Sequence, residues 1–215
     1  MILIIKYNTS GVNSWHYQFE GNSARGDVIG MVADSIGNLY TYGYASNDIE
    51  FFGESINSGL FLSKQNYLGE VVWIKDFNDL RMVAGSFGNY ITMSPNDDNL
   101  FISGELQDTL IIVGEETLYP NENSEGYFIA KFDTEGNYKW AKQEKVKCNE
   151  LCLRADYSGN IVLSGTFYIT DTIGNKELIC EGDRDIFISK YDKDGNFIWA
   201  KRAGGEYTDW FGFIS

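Results

Sequence analysis

The chain is poor in the residues that most often carry chemistry. Its 215 residues include one histidine, two prolines and three cysteines, and its 17 Lys and Arg are outnumbered by 31 Asp and Glu. A single imidazole, His16, excludes a His-rich metal site and a pair of independent histidine bases. The net charge of −14 argues against nucleic acid, which needs concentrated cations, and against anionic lipid. No apolar run approaches the length of a membrane span, and no stretch resembles a signal peptide. G-x-S-x-G, H-E-x-x-H and phosphate-loop motifs are absent. With two prolines and no Ser- or Pro-rich linker, residues 1–215 read as one domain. Nothing in the sequence calls for a cofactor or a metal.

The cysteines add no framework. If "CNELC" is extended, Cys148 and Cys152 lie about 13 Å apart, beyond the reach of a disulfide, and Cys180 leaves an odd count. Idle or buried thiols are the expectation.

What the chain does have is a repeat. "LIIKYNTSGVNSW", "FLSKQNYLGEVVW", "FIAKFDTEGNYKW" and "FISKYDKDGNFIW" align without gaps. In each, a Lys (Lys6, Lys64, Lys131, Lys190) is followed five residues later by Gly (Gly11, Gly69, Gly136, Gly195) and nine later by Trp (Trp15, Trp73, Trp140, Trp199). Between copies, Asn38, Asn99 and Asn160 stand 61 residues apart, each with Gly five residues on (Gly43, Gly104, Gly165). Such a period marks units that must bury apolar surface against their neighbours.

Short segments rich in aromatic and β-branched residues, punctuated by "DKDGN", "DTEGN", "DYSGN" and "DSIGN", predict antiparallel strands joined by tight turns. The expected unit has four strands: one before the "GN" turn, the Asn-to-Gly strand, the Lys strand and the Trp strand. Stacked face to face around an axis, such units make an all-β propeller. On this count the chain holds two strands, three full sets and one strand more, as expected of part of a larger propeller. Open edge strands then predict self-association or pairing with the rest of a parent chain.

The motifs resemble the bacterial β-propeller repeat known as the SBBP repeat, roughly "D-x-F-[IV]-x-K-[LYF]-D-x-x-G-x-x-x-W…G-G…D…D-x-x-G-N". The fit covers nearly the whole chain and is tightest at Asp133, Gly136, Asn137, Trp140, Asp156, Gly159, Asn160, Gly165, Lys190, Asp192, Gly195 and Trp199. Asn8 and Asn66 replace Asp in the first two copies, and "SPNDDN" replaces "D-x-x-G-N" in the second. The resemblance implies a propeller of a secreted or cell-surface protein, and implies no catalytic residues.

Each repeated residue has a structural and a functional reading. The Lys column suits a stem lying along a neighbouring strand with its ammonium paired to Asp, rather than an anion site. The Trp column suits packing between units rather than a sugar platform. The turns carry too few acids to bind calcium throughout. The segments after each Asn-to-Gly strand vary most, and the variable loops of a repeat fold often form its binding face. The expectation is therefore a non-catalytic module binding a protein or glycan through loops. The alternative is a glycan-processing enzyme of sialidase type, although the spacing in "SKYDKDGNFIW" is longer than in the sialidase box. A third reading, a WD-type scaffold, lacks its W-D and G-H signatures.

Overall fold

The computed structural model describes residues 2–19, 26–45, 49–78, 90–107, 111–113, 116–119 and 125–210, and no helix occurs among them. The chain divides into two compact units, Met1–Arg81 and Met82–Ser215. The last strand expected from the sequence, beginning at "DWFGFIS", lies mostly outside the described residues.

The first unit opens with a hairpin of β1 (Ile2–Tyr7) and β2 (Asn13–Phe19). A four-stranded antiparallel sheet follows, built from β3 (Gly26–Ala33), β4 (Leu39–Ala45), β7 (Gly59–Gln65) and β8 (Val71–Asn78) in that order. The chain between β4 and β7 folds into a second, smaller hairpin, β5 (Ile49–Phe51) with β6 (Glu54–Ile56).

The second unit repeats this plan twice. One sheet orders β9 (Ile91–Met93), β10 (Leu100–Gln107), β13 (Glu125–Phe132) and β14 (Tyr138–Glu144), with the small hairpin β11 (Ile111–Val113) and β12 (Glu116–Leu118) inserted. The next orders β15 (Cys148–Ala155), β16 (Ile161–Phe167), β19 (Asp185–Tyr191) and β20 (Phe197–Ala203), with β17 (Asp171–Ile173) and β18 (Lys176–Leu178) inserted. β9 and β10 pack on β15.

The register explains the nine-residue spacing of Lys and Trp. Lys6 lies opposite Trp15, Lys64 opposite Trp73, Lys131 opposite Trp140 and Lys190 opposite Trp199. Each pair therefore shares one face of its sheet. A bulge follows each Lys, and the turn beyond it closes on a glycine of positive φ, 76° at Gly11 and 79° at Gly195. This is the three-residue hairpin loop with a left-handed glycine. The first turn residue holds it: Asp133 Oδ1 accepts from the nitrogens of Glu135 and Asn137, and Oδ2 from Asn137 Nδ2. Asn8 and Asn66 accept from the equivalent nitrogens, so the Asp-to-Asn changes leave the turn intact. Asn38 and Asn160 play the Asn137 part in the turns before β4 and β16, bonding Asp34 and Asp156. In "SPNDDN" the loop is one residue longer: Ser94 N bonds the Asn99 carbonyl, and Asp98 takes the positive φ, 49°, that glycine adopts elsewhere.

The Asn-to-Gly strand needs its glycine for space. Gly43, Gly104 and Gly165 lie opposite Phe61, Phe128 and Phe187. A Cβ at Gly43 would stand 2.4 Å from the Phe61 ring, and one at Gly165 3.0 Å from that of Phe187. Those rings are almost wholly buried, each worth roughly 1.5–3 kcal/mol relative to exposure.

The inserted segments, expected as loops, form hairpins instead. Each sends one apolar pair inward, Phe51 with Ile56, Val113 with Leu118 and Ile173 with Leu178, all buried. Three-residue strands are too short to show a period in the sequence. The unit therefore has six strands, four in the sheet and two in a hairpin wedged beside it.

Candidate functional site

The repeated Lys, Gly and Trp meet at a joint between consecutive sheets. In the first unit Lys6 Nζ donates to the carbonyls of Tyr67 and Gly37 at 3.0 and 3.1 Å, and Trp15 Nε1 donates to the same Tyr67 carbonyl at 3.2 Å. Gly69, two residues beyond Tyr67, lies on the Trp15 indole, where a Cβ would stand 2.9 Å from the ring. The second unit repeats the arrangement: Lys131 Nζ and Trp140 Nε1 donate to the Lys193 carbonyl at 3.1 and 3.2 Å. Gly195 covers the Trp140 ring, and a Cβ there would stand 3.1 Å from it. One carbonyl thus accepts an ammonium and an indole from the preceding sheet.

Within the sheets the same lysines lie over aromatic rings. Lys64 sits 5.3 Å above the ring centroid of Tyr40, and Lys131 the same distance above Phe101. Lys190 pairs instead with Asp156 Oδ2 at 2.9 Å. Trp199 is 37 % exposed, and Gly11 has nothing within 4 Å of its Cβ position. Gly136 is buried.

A further repeated position leaves no mark in the sequence, because in the last three copies it is Asp76, Gln143 and Arg202. Three residues after Trp, the side chain grips the chain as it returns from the small hairpin. Asp76 Oδ2 accepts from Asn57 Nδ2 at 2.9 Å; Gln143 accepts from the Tyr119 nitrogen and donates to its carbonyl, both at 2.8 Å. Arg202 donates to Asp185 at 2.7 Å and to Glu181 at 3.0 Å. Asp185 is fully buried, and its second oxygen has no hydrogen-bond partner.

The turn carboxylates are held ionised. Partial burial pushes Asp133 and Asp156 upward, but hydrogen bonds from Lys139 and Asn137, and from Asn160 and Lys190, outweigh it and bring both to about 2. Asp97 in the longer loop is lowered in the same way by Ser94, Asn99 and Lys131.

One buried polar chain stands apart. The hydroxyls of Tyr127 and Tyr191 lie 3.0 Å apart, Tyr191 donates to Glu144 Oε1 at 3.1 Å, and the Gly174 nitrogen donates to Oε2 at 3.0 Å. Burial, aided by Asp171, raises the Glu144 pKa, and burial pushes both phenols up. Among the described groups Glu144 comes nearest to the character of a general acid. Both its oxygens are taken up, Oε2 in tying the β17–β18 turn to β14 and Oε1 by Tyr191 of β19.

An open cleft of about 460 Å³ lies beside β6 and β8, with Glu54, Trp73 and Asp76 in its walls. Asp76 Oδ1 is buried there with no hydrogen-bond partner. His16 stands exposed on β2, opposite Ile5. All three cysteines are free thiols. Among the described residues no group of three or more His, Cys, Asp or Glu is placed to hold a metal, and no helix is long and apolar enough to cross a membrane.

No protein-family model and no curated protein sequence matches the chain.

Proposed function

We propose that the chain is a stretch of β-propeller of the SBBP-repeat kind, serving as a non-catalytic interaction or scaffold module of a secreted or cell-surface bacterial protein. The propeller reading is supported by three sheets of one strand order and by one joint contact that recurs in each unit.

The observation that carries the functional reading is the division of labour within each repeat. The recurring residues are engaged in turns and joints, whereas each small hairpin buries one apolar pair and turns a different polar face outward. Glu54 and Ser55 are exposed on the first, Glu116 and Thr117 on the second, and Thr172, Lys176 and Glu177 on the third. Short strands anchored by a buried pair present side chains at fixed positions, and this is what recognition of a protein or glycan needs. For a glycan, the cleft beside β8 offers the Trp73 ring as an apolar wall and the exposed Glu54 carboxylate as an acceptor for hydroxyls.

The test is a binding screen of the chain on a glycan array and against purified bacterial surface proteins, repeated with the seven outward residues changed to Ala. Loss of binding by a variant with unchanged circular dichroism supports the reading. Binding that survives all seven changes sinks the hairpin role, and turnover of an arrayed glycan moves the protein to the enzyme class.

A further inference from the structure

Two faces of the chain, one in each unit, carry the parts of this joint with more exposure than their counterparts. The residue three before each repeated Lys is a buried Phe in three copies, Phe61 and Phe128 at 1 % and Phe187 at 0 % exposure, whereas its counterpart Leu3 is 48 % exposed. Gly69 and Gly195 lie on indoles; Gly11 has open space around it. The Asn8–Val12 turn is nonetheless built like the turns that fill the joint, with Asn8 N bonded to the Val12 carbonyl and Gly11 N to that of Asn8. Its Thr9 carbonyl holds the place of Tyr67 and Lys193.

The other half is on β19 and β20. Trp199 is 37 % exposed, and its indole nitrogen, which donates in Trp15 and Trp140, has no partner among the described residues. Ile198 beside it is 48 % exposed. Ile188 is half-buried, where its counterparts Ile4, Leu62 and Ile129 are at most 4 % exposed. In the first unit Ile4 and Phe61 share one apolar cluster across the joint; the exposed Leu3 and the half-buried Ile188 hold the corresponding positions at the two faces.

We infer that the β20 face of one copy receives the Asn8–Val12 turn of a second copy, head to tail. Trp199 Nε1 donates to the Thr9 carbonyl, Gly11 lies on the Trp199 indole, and Leu3 packs on Ile188. The occupant follows from the joint itself, seen twice within the chain and made each time from a turn of this type. The contact is heterologous, so it propagates or closes into a ring. The inference needs no outside partner, and its test reads nothing that depends on the hairpins.

Sedimentation velocity of the full chain across a wide concentration series, at a salt concentration that screens its charge, measures this association. Trp199→Ala removes one half and Leu3→Asp the other. The expected result is a wild-type chain whose size grows with concentration, two variants that stay monomeric, and a one-to-one mixture of the variants that stops at the dimer, since each retains the half the other lacks. If Leu3→Asp does not fold, Gly11→Asn replaces it, because Asn tolerates positive φ and its side chain blocks the indole. A wild-type chain monomeric throughout, single variants that associate as well as wild type, or a mixture that stays monomeric overturns the inference.

Discussion

The Gly69 backbone lies against the indole of Trp15, 54 positions earlier in the chain, so closely that a Cβ would stand 2.9 Å from the ring. The glycine is required twice over, by its φ of +89° and by the ring that covers it. Gly195 meets the same demands over Trp140, whereas Gly11 meets only the first.

Gly69→Ala and Gly195→Ala should therefore destabilise more than Gly11→Ala in the monomer. Left-handed backbone at a non-glycine residue costs roughly 1–2 kcal/mol, which all three share. Crowding against the indole adds roughly another 1–3 kcal/mol at the first two. Urea unfolding of the three variants checks the order, and equal losses would mean that the indoles are not covered.

Asp133 and Asp156 should link stability to acid. Both have folded-state pKa values of about 2, below the ordinary carboxylate value, so their contribution is complete above the unfolded pKa and is lost as pH falls toward 2. Asp133→Asn should fold, because Asn8 and Asn66 hold the same turn, but its urea midpoint should fall less steeply than that of the wild type over roughly pH 5 to pH 2. An unchanged slope would remove Asp133 from the account.

Glu144 should act in the opposite sense. Its folded pKa is raised, so the contribution of its neutral form is present at low pH and is lost as pH rises through the folded value. Glu144→Gln removes that charge while keeping polar atoms for Tyr191 and Gly174, and should be neutral or stabilising at pH 7. Glu144→Ala leaves the buried Tyr191 hydroxyl and the Gly174 nitrogen with fewer partners and should cost about 1–3 kcal/mol. Thermal unfolding of the two variants side by side distinguishes them, and a Gln variant as weak as the Ala variant would contradict the assignment.

Arg202→Met strips a buried carboxylate, Asp185, of its cation. It should destabilise far more than Lys139→Met, whose partner Asp133 keeps its turn hydrogen bonds. Adding Asp185→Asn to Arg202→Met should recover part of the loss, because the unpaired charge is then gone. A double variant weaker than Arg202→Met alone would count against this.

Much of the architecture is written in the spacing of Lys6, Gly11 and Trp15 and their copies, because a turn that needs a left-handed glycine and a cross-strand pair that needs fixed register both leave their intervals in the chain. What those residues touch is not written there. The acceptor of Trp140 is a backbone carbonyl 53 positions away, and a carbonyl has no sequence signature. The inserted hairpins are hidden for another reason: "IEF" and "ESI" are too short for alternation to show. The grip by Asp76, Gln143 and Arg202 is hidden because three chemistries answer one geometric need. Asp97 is displaced from the repeat pattern by a one-residue longer loop, although it supplies the carboxylate that Asp156 supplies elsewhere.

The central claim is that the repeated tryptophans are donors in joints between sheets. Hydrogen exchange of the indole N–H groups, followed by NMR, tests it most directly. Trp15 and Trp140 should exchange far more slowly than Trp210, which is 69 % exposed and has its ring stacked on Arg184. Trp15 and Trp140 exchanging as fast as Trp210 would show that the joints do not form.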